Sequence, residues 1–139
     1  MSEIVVLGAG LGGTLAAYEL LDQVGKGDRV TLIGQEKTYH FVPSDPWVAV
    51  GWRERKDIEA DLSGVMARRG VRYLTQGAKR LHPAEKRVEM MDGSDVTYDY
   101  LVIATGPELA FDEIEGLGPQ ANTQSICHVD HAERARVAF

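Results

Sequence analysis

Residues 3–13 read E-I-V-V-L-G-A-G-L-G-G, and this stretch narrows the possible folds more than any other. Ile4, Val5, Val6 and Leu7 form a short apolar, largely β-branched run, the pattern of a strand buried on both faces. Gly8, Gly10 and Gly13 follow on a G-x-G-x-x-G spacing, and a helix-capable segment opens at once. In such a turn the first glycine permits the sharp bend off the strand. The second lets backbone touch a pyrophosphate, and the third lets helix and strand pack closely. Phosphates would then rest on free N–H groups at the positive end of the helix dipole. A purely structural glycine turn is the competing reading; the flanking strand and helix favour the nucleotide one.

The charge pattern removes other classes. Net charge is −6, with both signs mixed along the chain, so no basic stripe marks a nucleic-acid surface. No apolar run approaches the ~18 residues that span a membrane, and no export signal is visible at the N-terminus. One cysteine excludes an internal disulfide and a cysteine metal cluster, and no metal site is expected. A chain of 139 residues, 44% hydrophobic, is one domain's length and can bury a core.

Leu11–Val24 is expected to be the first helix, with Leu15, Tyr18 (or Glu19) and Leu21–Val24 facing inward and Gly25 and Gly27 ending it. Arg29–Ile33 completes a βαβ unit. An acid commonly follows this strand to bond a ribose, but here Gly34 follows, then Gln35 and Glu36. Either Gln35 or Glu36 reaches the ribose or backbone holds that end; a solvated loop charge is the alternative for Glu36. Tyr39–Trp52 gathers two prolines, two tryptophans, Tyr39 and Phe41. Prolines exclude a regular helix or central strand. The segment suits the wall of a flat ligand, or equally a loop over the sheet edge or an interface.

Asp57–Arg69 is expected to be at least partly helical, from Ile58, Leu62, Val65 and Met66, with Gly70 as its stop. Val71–Thr75 reads as the third strand, and the small residues Gln76-Gly77-Ala78 suit either an adenine contact or a plain turn. Lys86–Met91 and Asp95–Tyr100 flank Asp92-Gly93, a hairpin signal. Leu101–Ala104 reads as another buried parallel strand, ending in Thr105-Gly106-Pro107 over the same crevice. The fold class is α/β: a Rossmann-like domain with a parallel sheet and a hairpin or meander in place of one crossover helix.

Four stretches carry a resemblance: G-A-G-L-G-G, F-V-P-S-D-P-W-V-A-V-G-W, Y-D-Y-L-V-I-A-T-G-P and Q-S-I-C-H-V-D-H-A. Together they resemble the N-terminal part of the sulfide:quinone oxidoreductases, FAD-dependent flavoproteins of the disulfide-reductase type. The resemblance covers residues 1–139 and implies an incomplete FAD-binding domain, a fragment ending within a helix begun near Asp130. It implies FAD as cofactor, sulfide as electron donor and a membrane quinone as acceptor. By motif, Gly8, Ala9, Gly10, Gly12 and Gly13 would hold the diphosphate, and Gly34 and Gln35 would lie at the ribose. Pro43 and Ser44 would lie beside the isoalloxazine, Ala78 would meet the adenine, and Ala104, Thr105 and Gly106 would close the flavin side.

For chemistry, the resemblance implies Cys127 as an assisting cysteine and His131 as a histidine on the sulfide route. From the residues alone, Cys127 also fits a small buried hydrophobe. His131 also fits the first turn of a helix whose Asp130–Glu133 spacing matches a capping box. The roles of His40 and His128 stay open, and His82 reads as a surface residue. The fragment is expected to be soluble and inactive alone, because the family's principal cysteine pair lies beyond it. The parent would sit peripherally on the cytoplasmic membrane through C-terminal segments, and an open sheet edge allows a homodimer. Type II NADH:quinone reductases, flavocytochrome sulfide dehydrogenases and a non-catalytic nucleotide-binding module are the alternative readings.

Overall fold

A computed structural model describes residues 1–139. The chain forms two compact units, one of residues 1–39 and 61–106, the other of residues 40–60 and 107–139.

The first unit is built on a four-stranded sheet. β1 (Glu3–Leu7) lies between β2 (Arg29–Ile33) and β9 (Tyr100–Ile103), and β5 (Arg72–Leu74) pairs outside β2. All three pairings are parallel, with Val5 opposite both Thr31 and Leu101. Val5 and Val6 are completely buried because both faces of the central strand are covered. On one face, α1 (Leu11–Gln23) and α3 (Leu62–Arg69) close over Val6, Val30, Leu32 and Met66. On the other, an antiparallel sheet of β6 (Ala78–His82), β7 (Arg87–Met90) and β8 (Asp95–Thr97) covers Val5 and Ile33 with Val88, Met90 and Val96. This three-stranded meander stands where a helix would complete a uniform βα alternation. The expected Rossmann-like α/β class is therefore the one observed.

Several expected elements differ in detail. The meander has three strands, adding β6 to the expected hairpin; A-K-R-L-H carries two consecutive cations and no clean alternation to mark it. Helix α3 begins at Leu62, since Glu59–Asp61 is spent on a strand, β4, and Asp61 caps the helix by accepting from Gly64 N at 3.1 Å. β4 pairs with β3 (Thr38–His40) in a two-stranded ribbon. Leu15 is 55% exposed and departs from the expected inward stripe, but Tyr18, Leu21 and Val24 pack on the core as expected, beside the buried Gly13 and Ala17. β9 is parallel as expected, but it is an edge strand, and Ile103 is exposed rather than buried.

Gly70 ends α3 at φ +89, the left-handed conformation a terminal glycine adopts most easily. Gly70→Ala should leave the fold intact and cost roughly 1 kcal/mol, read as a lowered denaturant midpoint at unchanged slope.

The second unit packs α2 (Asp45–Ala49) against α4 (Val129–Ala138) through Val48, Ala49, Ile58, Val129, Ala132 and Ala135. Regular structure was not expected across Pro43 and Pro46, yet α2 forms. Pro46 lies in its first turn, where no N–H is needed. The Asp130–Glu133 capping box does not form: His128 is the N-cap of α4, with no side-chain cap bond. Asp130 and Glu133 both engage the Arg55 guanidinium instead.

Candidate functional site

In the first unit, the strand order places a crevice at the carboxyl ends of β1 and β2. From β1 the chain winds outward to β2 and β5 on one side, then returns to β9 on the other, and ligands of open α/β sheets bind at such a reversal. The ladder runs on past the strand ends: Gly8 N donates to Ile33 O, Gly34 N to Leu74 O and Gly77 N to Gly34 O, each at 2.9 Å. These bonds fix the floor of a cavity of about 480 Å³, within the range of cofactor pockets.

The glycine turn is held by packing and left open where a ligand needs it. Gly8 has φ +106, and a Cβ there would lie 2.2 Å from Ala104 O. A Cβ on Gly13 would lie 1.8 Å from Gly8 O, so helix and strand touch through bare backbone. Gly10 and Gly12 have no atom within 4 Å of a Cβ position, and both are exposed. Helix α1 starts from Gly10 with no side-chain cap and no acid in its first turn. Its leading N–H groups therefore face outward, where a diphosphate can reach them.

Gly34 has a spatial explanation. A Cβ there would lie 2.5 Å from the Tyr73 hydroxyl and 2.6 Å from Ala9 Cβ. No acid can occupy the position after β2, because Tyr73 fills its space. The Tyr73 hydroxyl in turn donates to the backbone carbonyl of Glu36, and burial with the nearby Glu36 charge raises its pKa.

Of the expected cofactor residues, Gly8, Ala9, Gly34, Gln35, Ala78 and Thr105 line this one cavity. Gly10, Gly12 and Gly13 lie on the adjoining turn, and Gly106 follows Thr105 with φ +75. Sequence reasoning did not single out Thr38, Tyr73, Lys79 and Arg80, which also line it. For Tyr73, Lys79 and Arg80 the one signal is proximity to the small-residue passage at Gly77-Ala78; Thr38 carries none.

Pro43, Ser44, Cys127 and His131 belong to the second unit. Pro43 is exposed; the Ser44 hydroxyl is buried and accepts from Arg53 Nη1 at 2.7 Å. Cys127 is a free, exposed thiol, which overturns its reading as a small buried hydrophobe. His131 is half-buried, packed edge-on against Phe111, with Nδ1 buried and unpaired. The same unit holds an unexpected group: Asp45, wholly buried, with His40 Nε2 3.8 Å from its Oδ1.

Burial raises the Asp45 pKa, against a smaller opposing pull from His40 and His128. The folded protein thus keeps a proton on Asp45 at pH values where the unfolded chain, with an ordinary value of ~3.9, has lost it. This contribution to stability is full below the unfolded pKa and declines as pH rises through the raised folded one. Asp45→Asn should flatten that decline, measured as denaturant midpoints over a pH series.

The match to known families follows the same geometry. Residues 2–138 match the model of the pyridine nucleotide-disulphide oxidoreductases. The sulfide-quinone reductase of Aquifex aeolicus is 35% identical over 129 residues, 93% of this chain and 29% of the relative. The mitochondrial sulfide:quinone oxidoreductase of Dictyostelium discoideum is 35% identical over 84% of this chain and 26% of its own. The X-ray structure of the Aquifex aeolicus sulfide:quinone oxidoreductase superposes with a TM-score of 0.88 at 32% identity, covering 99% of this chain and 31% of that one. The chain thus spans under a third of the length of these relatives. By its fold, its glycine turn and a match along nearly its whole length, the chain belongs to the pyridine nucleotide-disulphide oxidoreductase family.

Proposed function

We propose that this chain is the N-terminal part of the FAD-binding domain of a sulfide:quinone oxidoreductase. The observation that carries the reading is the uncapped, exposed start of α1 above a cavity lined by Gly8, Ala9, Gly34 and Ala78. A diphosphate fits this start because the Cβ positions of Gly10 and Gly12 are empty. The similarity to sulfide-quinone reductases supports the choice of donor and acceptor.

In this reading Gly8, Ala9, Gly10, Gly12 and Gly13 hold the diphosphate, Gln35 with the Gly34 backbone meets the ribose, and Ala78 meets the adenine. Ala104, Thr105 and Gly106 close the flavin side, and the resemblance assigns Pro43 and Ser44 to the isoalloxazine. FAD supplies the two-electron step between sulfide and a quinone. Cys127, as an exposed thiol, assists with sulfur, and His131 serves the sulfide route. No helix is long and apolar enough to cross a membrane, and we propose that the parent meets its quinone through peripheral segments.

Titrating the purified 139-residue protein with FAD should yield a bound-flavin spectrum at a one-to-one ratio, with no sulfide-dependent quinone reduction. A folded protein that takes up no FAD would refute the cofactor assignment. Turnover by this chain alone would refute the division of labour.

A further inference from the structure

Asp45 is completely buried, and neither of its carboxylate oxygens has a hydrogen-bond partner. An ionised carboxylate in that state is far costlier than a neutral acid. His40 Nε2, 3.8 Å away, is buried and unpaired too. The His40 ring stands edge-on to His128 at 5.6 Å between centroids, and His128 lies 5.7 Å from His131. His128 is exposed and follows the exposed Cys127. A file of imidazoles therefore leads from a blind carboxyl to the surface.

Charged groups border the file, and Asp130 also feels the His128 and His40 rings. Arg53 bonds Ser44, while Arg55 joins Glu59, Asp130 and Glu133. Arg136 lies against Gly51. A carboxyl and imidazoles in a row are groups that take up and release protons.

We propose that Asp45, His40 and His128 form a proton store with one outlet. The proton resides on Asp45, whose buried oxygens have no other partner, and it exchanges with solvent through His40 and then His128. At each transfer an O–H or N–H bond breaks at the donor and an N–H bond forms at the next ring, or an O–H bond at solvent water in the last step; no electrons change hands. At 3.8 Å a small rotation or one bridging water completes the first link. His131, beside His128, is a branch of the file. Asp45 is thus a positioning residue, acting through the histidines. Its use in turnover rests on the oxidoreductase reading, where sulfide oxidation releases protons and quinone reduction consumes them; the store itself does not.

Infrared spectroscopy of the purified protein tests this without flavin or turnover, so its failure is distinct from failure of the oxidoreductase reading. The carbonyl band of a neutral carboxylic acid should be present at neutral pH. It should shift when aspartate is isotope-labelled and disappear in Asp45→Asn. His40→Phe should keep the band but slow its exchange in heavy water roughly tenfold or more. Absence of a labelled-aspartate band at neutral pH in the unsubstituted protein would overturn the proposal, even if Asp45→Asn does not fold. So would equal exchange rates with and without the His40 ring.

Discussion

Gly13→Ala is expected to disrupt the first unit. The added methyl would lie 1.8 Å from Gly8 O and 2.9 Å from the Gly8 carbonyl carbon, so backbone, not a flexible side chain, must give way. Moving Gly8 is itself resisted, because its own neighbour is the backbone of Ala104 and Thr105. The shift therefore spreads from α1 through β1 to β9. Overpacking of this kind costs about 3 kcal/mol or more, a large share of a typical domain's stability. Urea unfolding should show a sharply lowered midpoint, and FAD uptake should be lost with the fold.

Gly12→Asp should do the opposite: keep the fold and lose the ligand. Nothing lies within 4 Å of the Cβ position, and an acid in the first turn of a helix is mildly favourable. Its carboxylate, however, would sit before the same amides that a diphosphate needs, as an internal competitor and a like charge. FAD affinity should fall by about a hundredfold, roughly 2.7 kcal/mol, at an unchanged or slightly raised urea midpoint. The pair of variants separates packing from binding within one turn. A tight-binding Gly12→Asp protein would mean that the phosphates rest elsewhere.

The first βαβ unit was legible because its signals are local. An apolar strand, three spaced glycines and a second apolar strand lie within the first 33 residues, and each constrains backbone directly. Other features depend on distant partners. β4 reads E-A-D and becomes a strand only by pairing with β3, so the helical spacing from Ile58 wrongly absorbed it. Ile103 sits in an apolar run yet is exposed, since nothing in L-V-I-A distinguishes an edge strand from a central one. At Gly34, the missing acid was visible, but its cause, the Tyr73 ring, lies 39 positions along the chain. The Asp45 group was not legible, because His128 and His131 join His40 and Asp45 only when α4 packs on α2. Within that packing, the Asp130–Glu133 spacing serves Arg55 rather than the helix cap.

Cofactor binding depends most on the amides at the start of α1, and backbone chemical-shift mapping during FAD titration reads them one by one. The amide signals of Gly10, Leu11 and Gly12 should move first and furthest, saturating with the flavin spectrum, with Ala78 following in the same titration. Saturating FAD that leaves those three signals unmoved would contradict the account.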